Sequence, residues 1–266
     1  MEAPDPAGPL PVGNWSPSRL LDWLLCPARG AWSTGVLELP ADFHWPERPA
    51  AVRGRAVHAY ARARLAGGDV DEARIAGADA TFGTGLDPEA WIPFAEAWEA
   101  AVRPAIGAPQ AVEQRLEADV DGLAVTCVID AVDEAGAIRD LKTGQRAPDA
   151  WAAARESLQA VLYPLAWRQR TGEWAPFLLD HLIAHKQGVQ AVTIPVPVTD
   201  AAVDRVRRQL AWAQAQAEAG LADPGRIIPN PMTRYGCREC PFLALCAERY
   251  GFPALPAPAE PVAAEA

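Results

Sequence analysis

A mixed α/β domain, with helices covering a central sheet, follows from three features of the sequence. Half of its 266 residues are hydrophobic, enough to bury a sizeable core. Residues 111–142 carry three short alternating runs separated by two turn signals, which read as consecutive hairpin-linked strands. Helix-forming stretches flank these runs and two more strand-like runs come later, so helices and strands alternate along the chain.

In chain order, residues 1–13 (MEAPDPAGPLPVG) read as a flexible leader and 252–266 as a disordered Pro/Ala-rich tail, leaving 14–251 as a single domain. Ser16 or Ser18 caps a helix running to about Leu25, with Pro17 tolerated in its first turn. A second helix fits 50–66, weakened by Gly54. Residues 69–87 are rich in Gly and Asp and read as an irregular connection, followed by a helix over 88–102 that ends before Pro104. Strands fit 111–119, 123–132 and 137–142, separated by Asp121-Gly122 and Glu134-Ala135-Gly136. One long helix spans about 148–170 with a bend near Pro164. Strands at 177–186 and 190–196 and a helix at 199–219 complete the order.

Lys and Arg number 24 against 34 Asp and Glu, a formal charge of −10. That balance excludes a protein that coats nucleic acid by bulk charge, though not one with a local basic groove. No apolar run approaches the roughly 20 residues of a membrane span, and the leader lacks the basic start and apolar core of a signal peptide. A cytoplasmic chain without a membrane partner is therefore expected. In that setting five cysteines are not a disulfide framework. Cys237, Cys240 and Cys246 fall within ten residues and suggest a metal or cluster site needing a fourth ligand, while Cys127 reads as a small buried hydrophobe.

Asp130 ends one strand and Asp140-Leu141-Lys142 ends the next, so a short turn can bring the two carboxylates together. Such a pair is costly unless neutralised, and a hard divalent cation neutralises it. Leu141 faces the other way, leaving Asp140 and Lys142 on one side. Mg²⁺ or Mn²⁺ held there would polarise a phosphate, with Lys142 orienting a water or stabilising charge on the phosphate. The same spacing also fits two surface acids with a solvated lysine. Gly144 suits a sharp turn beyond the strand. Gln159 and Tyr163, one helical turn apart, can bond a phosphate or base without adding charge, Tyr163 being available for stacking, although a pair like this is more often a capping or core contact.

His58 sits among Arg53, Arg55, Arg62 and Arg64, with no acid between 51 and 66; a lone helical histidine is more often structural than a ligand. Glu113 is either a further carboxylate near the metal or an ordinary strand residue. Arg139, Lys142, Arg146, Arg155, Arg168 and Arg170 outnumber the acids Asp140, Asp149 and Glu156. They form a solvated helix face or a phosphate track on an otherwise acidic protein.

In combination these elements resemble the PD-(D/E)xK nuclease superfamily, specifically its RecB-like branch. The order of "GRAVH" (His58), Glu113, "VID" (Asp130), "DLKTG" (Asp140, Lys142) and Gln-x₃-Tyr (Gln159, Tyr163) carries the likeness over about residues 16–250. The resemblance implies a restriction-endonuclease-like mixed sheet core flanked by helices. It implies metal ligation by His58, Asp130 and Asp140, with Lys142 as catalytic lysine and Glu113 as accessory acid. Gln159 and Tyr163 would support the site and contact DNA, and Arg53, Arg55, Arg146 and Arg155 would bind it. "SPSRLLDWLLCP" followed by Cys237-x₂-Cys240-x₅-Cys246 is similar to the iron–sulfur subset, which includes the AddB nuclease domain and the CRISPR-associated exonucleases of the Cas four type. By resemblance Cys26, Cys237, Cys240 and Cys246 hold a 4Fe–4S cluster in a C-terminal cluster region. A structural Cys₄ zinc site is the competing chemistry, although the two-plus-two spacing of zinc ribbons is absent.

The implied function is a metal-dependent DNA exonuclease acting on single strands or ends in recombination, repair, phage replication or CRISPR adaptation, with a helicase or CRISPR integrase as partner. The rival reading is a non-catalytic DNA-end-binding or assembly module with a structural cluster.

Overall fold

The computed structural model describes residues 14–230, 237 and 240–251; the leader and tail expected at 1–13 and 252–266 lie outside the described residues. The chain divides into two compact units, one built from Ser18–Pro46 and the chain from Ala211 onward, the other mainly from Glu47–Leu210.

The larger unit contains a six-stranded mixed sheet of β1 (Asn14–Trp15), β2 (Ala111–Val120), β3 (Leu123–Val132), β4 (Ile138–Gly144), β5 (Phe177–His185) and β6 (Gly188–Val196). β2 and β3 form a hairpin around Asp121-Gly122, whose φ angles of 55° and 85° are those of a type I′ turn. The other edge of β3 carries β1 in parallel and β4 antiparallel, the latter only over Ala131↔Arg139 and Val132↔Ile138. β4 and β5 run parallel, so a helical crossover must join them: α7 (Ala150–Glu156) and α8 (Gln159–Thr171) fill that role. β6 returns antiparallel to β5.

Two helical layers cover this sheet. Residues of α3 (Pro49–Leu65), α4 (Val70–Asp79) and α5 (Ile92–Ala101) share one buried cluster with Leu141 and Leu182. α8 instead sets Leu162 over Cys127 and Tyr163 beside Phe177. Phe177 and Leu182 have opposite parity on an uninterrupted strand, so the layers lie on opposite faces. The expected mixed α/β architecture with flanking helices is thus present, and among the described residues no helix is long and apolar enough to cross a membrane.

Two local expectations are corrected. The connection expected at 69–87 contains α4. Its start is a reciprocal cap in which Asp69 Oδ1 accepts from the Glu72 amide at 2.9 Å and Glu72 Oε2 from the Asp69 amide at 3.0 Å. Gly77 is in this helix because the Trp91 ring lies against it, where any Cβ would overlap the ring. The acids and glycines that suggest a loop are a cap and a packing contact.

The helix expected to stop before Pro104 does so, α5 ending at Ala101, and a separate turn follows, α6 (Arg103–Ile106), with Pro104 in its first turn, where no amide donor is needed. The long helix expected over 148–170 breaks at Ser157, which is extended (ψ 111°) and accepts from the Ala160 amide through its hydroxyl at 3.1 Å. Pro164 lies inside α8.

In the smaller unit, α1 (Pro17–Leu25) and α2 (Pro27–Ser33) fold back on each other, with Trp23 against Gly30 and Arg29 Nε 2.6 Å from Asp22 Oδ1. After the C-terminal half of α9 (Asp200–Ala222) comes α10 (Leu243–Tyr250). The buried ring of Phe242 collects Trp32, Phe43 and Trp45, all with centroids within 5.6 Å.

Removing the α4 cap by Asp69→Ala is expected to cost about 1 kcal/mol and to lower the thermal midpoint by about 2–4 °C. Gly77→Val should cost more, because the Trp91 ring must leave its seat; circular-dichroism melting of both variants measures this.

Candidate active site

The β2–β3 register places Val112 opposite Ala131 and Gln114 opposite Ile129, so Glu113 faces Asp130. The β3–β4 register places Ala131 opposite Arg139, and one further step would set Asp130 opposite Asp140. Glu113 and Asp130 thus face each other across β2 and β3, with Asp140 near enough for the Asp130 charge to act on it, and like charges repel. The backbone gives way at these acids. Glu113 adopts φ 48°, a left-handed conformation unusual for a residue with a side chain. The β3–β4 ladder ends, and Asp130 Oδ2 accepts the Leu141 amide at 2.8 Å.

α3 delivers His58 to these acids, with Nδ1 3.5 Å from Asp130 Oδ1. Ligand atoms of His58, Glu113 and Asp130 all lie within 4.8 Å of one another, which matches donors at 2.0–2.4 Å around one ion. Asp140 stands outside this trio. Its carboxylate is buried, 1 % exposed, and Lys142 Nζ lies 2.8–2.9 Å from its oxygens. Asp140 and Lys142 do share one side of β4, as the alternation predicts, while Leu141 packs with α3 and α5.

Electrostatics follow from this packing. Burial opposes charge on His58, but the hydrogen bond and negative charge of Asp130 outweigh it and raise the imidazole pKa. Burial also opposes ionisation of Asp130, yet His58, Lys142 and the Leu141 amide hold it below the usual carboxylate range. Glu113 is raised by burial and then by the Asp130 charge. Asp140 is pushed up to about 6, by burial first, with Lys142 pulling the other way and Asp130 adding to the rise.

Gln159 Nε2 donates to the Tyr163 hydroxyl at 3.0 Å. Tyr163 is only 6 % exposed and sits beside Phe177, so its ring is not available to stack on a base, and burial raises its pKa. Gly144 has a different reason from the sharp turn expected: a Cβ there would lie 2.7 Å from His181 Nε2.

Of the arginines expected on DNA, Arg53 stacks over Phe94 at 4.7 Å, Arg55 pairs with Glu47 at 2.7 Å, and Arg155 pairs with Glu156. Arg146 is exposed and makes no ion pair among the described residues.

Cys26, Cys237, Cys240 and Cys246 all belong to the smaller unit and are all partly buried. Cys246 is pushed up to about 11 by burial and then by Cys26, Cys240 and Cys237; Cys240 is raised as well. The Asn230 amide donates to Cys26 Sγ at 3.2 Å. Among the described residues no three of these sulfurs lie within 4.8 Å of one another, whereas a closed ZnS₄ tetrahedron needs sulfurs about 3.8 Å apart. Cys127 is fully buried in the sheet, as expected.

The family profile of the PD-(D/E)XK nuclease superfamily matches residues 14–247. The chain belongs to that superfamily. A crystal structure of a candidate exonuclease from Eubacterium rectale shares the fold, with a TM-score of 0.56 and 17 % identity, covering 82 % of this chain and 84 % of that one. The crystal structure of SSO0001 is 16 % identical over 73 % of this chain and 84 % of that one, with a TM-score of 0.37. No curated protein matches the chain. Superfamily membership supports a nuclease, in a family that uses divalent metals, and His58, Glu113 and Asp130 form the candidate metal site.

The raised Asp140 pKa has a consequence for stability. Its folded value of about 6 exceeds its ordinary value of 3.8. The folded state therefore holds the proton more tightly, and stability falls as pH rises between these values. With divalent metal chelated, Asp140→Asn should be more stable than the parent at pH 7.5, on the order of 2 kcal/mol. The gain should vanish near pH 4, as urea unfolding in EDTA at both pH values would report.

Proposed function

We propose that this chain is a deoxyribonuclease of the RecB-like branch, acting as an exonuclease on single-stranded DNA or DNA ends. The observation that carries this reading is the Asp140–Lys142 pair standing beside the His58–Glu113–Asp130 trio at the point where β3 and β4 part. His58, Glu113 and Asp130 would hold the ion, with Asp140 joining them once Lys142 turns toward substrate. Mixed nitrogen and oxygen donors suit Mn²⁺ at least as well as Mg²⁺. When bound, either ion supplies a Lewis acid for a phosphoryl oxygen and a water of lowered pKa.

The chain's own groups then have distinct tasks. Lys142, 38 % exposed, places its ammonium where negative charge grows on the phosphate. Gln159 holds the Tyr163 hydroxyl, and the pair braces the floor beneath Asp140 rather than stacking on bases. Exposed Arg146 is the first DNA contact; Arg55 and Arg155 can exchange weak surface partners for phosphate at little cost, whereas Arg53 reaches DNA only by leaving Phe94.

A non-catalytic end-binding module has no use for three carboxylates beside a phosphate, which favours hydrolysis. The exonuclease assignment draws on the Eubacterium rectale neighbour and the RecB-like motif order. Such an enzyme serves recombination, repair, phage replication or CRISPR adaptation, beside a helicase or integrase, in the cytoplasm.

We assign Cys26, Cys237, Cys240 and Cys246 to a 4Fe–4S cluster, similar to that of the AddB nuclease domain and the Cas four exonucleases. Burial and then the neighbouring Cys26, Cys240 and Cys237 raise the pKa of Cys246, and thiols gathered in this way call for a cationic centre. The role is structural. Cys26 and the other three come from chain segments about 210 residues apart, and closing such a loop removes unfolded-state entropy worth on the order of 5 kcal/mol by the disulfide formula.

Asp140→Ala should lower Mn²⁺-dependent cleavage of end-labelled single-stranded DNA by at least ~10²-fold while leaving DNA binding intact; undiminished cleavage by purified variant would overturn the active-site assignment. Protein prepared without oxygen should contain about four iron and four sulfide per chain, and Cys26→Ala should melt at lower temperature. Stoichiometric zinc without iron would refute the cluster.

A further inference from the structure

Behind β4 lies a buried ion network that none of the tasks above employs. Arg139, Asp133 and Asp180 are each less than a tenth exposed. Arg139 Nε donates to Asp133 Oδ2 at 3.0 Å, and its Nη1 donates to both oxygens of Asp180 at 3.0 Å. Asp133 Oδ1 accepts the Ala137 amide at 2.8 Å and so closes the β3–β4 turn. Asp180, on β5, also accepts from the Thr193 hydroxyl on β6. One guanidinium therefore ties the turn, β4, β5 and β6 together.

Its place in the strand is informative. Arg139 is paired with Ala131 at the last register position before β3 and β4 separate, one residue ahead of Asp140. Continued pairing would carry the backbone ladder through Asp130 and Asp140 and fill the gap in which Asp130 reaches the Leu141 amide. A cavity of about 20 Å³, room for one water, is walled by His58, Glu113 and Asp130 together with Arg139 and Asp180. The network and the metal trio thus share a wall.

Buried ion pairs contribute little net stability over apolar residues of similar size, so this one needs a geometric reason. We propose that Arg139 is a positioning residue: clamped between Asp133 and Asp180, it holds β4 away from β3 and keeps the carboxylates open to a divalent ion. Arginine suits this place because its planar fork aims fixed donors at both carboxylates, whereas a lysine ammonium is a single compact charge with no fixed donor directions. This inference rests on the metal-dependent reading of the same site.

The test is Mn²⁺ binding by calorimetry, with melting temperature measured in parallel. Arg139→Lys should bind Mn²⁺ at least ~10-fold more weakly than the parent, the scale of loss seen when groups supporting metal ligands are removed. Arg139→Met combined with Asp133→Asn and Asp180→Asn leaves no charge within this network; it should melt above Arg139→Lys yet still bind Mn²⁺ at least ~10-fold more weakly. Thr193→Val, which loses only the outermost bond, should bind about 3-fold more weakly, and it decides alone if the arginine variants do not fold. A folded variant that binds Mn²⁺ as tightly as the parent would overturn the clamp. Parent protein that binds no Mn²⁺, or binds it unchanged after His58→Ala, would overturn the metal-site reading and the clamp together.

Discussion

Repulsion of Asp130 on β3 with Glu113 on β2 and Asp140 on β4 is the constraint to which the surrounding structure responds. Each neighbour of these acids reduces the repulsion in its own way. Glu113 turns into a left-handed conformation, Asp130 takes a proton donor from His58 and an amide from Leu141, and Asp140 takes Lys142. What these partners leave is uneven: Asp130 is held ionised, while Glu113 and Asp140 are pushed toward protonation. A site with that imbalance has a standing demand for positive charge, and its donor spacing fits one divalent ion.

The acid–lysine pair was legible because its signals are short-range. A period-two strand fixes that Asp140 and Lys142 share a side and Leu141 does not, and Leu141 indeed packs in the α3–α5 cluster. Glu113 was open to the same logic. The two-residue Asp121-Gly122 turn pairs Val120 with Leu123, and counting back sets Glu113 opposite Asp130. The opening between β3 and β4 was not legible, because it depends on Arg139 meeting an aspartate 41 positions away. Similar reasons explain α4 and the break at Ser157. Aspartate and serine serve turns and helix starts alike, and only the partner amide tells them apart. The buried state of Tyr163 likewise depends on Phe177, on a strand that its own helix precedes.

Where glycine appears near the site, contact decides it more than turn geometry. Gly144 follows the lysine by two residues and borders the His181 ring, whose nitrogens have no hydrogen-bond partner among the described residues. Burial and the Lys142 charge both lower the pKa of His181. A neutral imidazole therefore lies in register with Lys142, on the β5 position paired with it, and adds no competing positive charge there.

The locations of stability and instability follow from this arrangement. Apolar helices on both faces and two full-length hairpins stabilise the sheet, which can therefore tolerate a strained, like-charged site near its middle. An ion entering that site relieves repulsion that the folded protein already bears, so binding and folding free energy are linked through the same carboxylates. Neutralising Asp140 relieves the repulsion without the ion, which is why gain of stability and loss of chemistry are expected to coincide at one residue. That coincidence separates a functional carboxylate from an ordinary surface acid, whose removal would change neither.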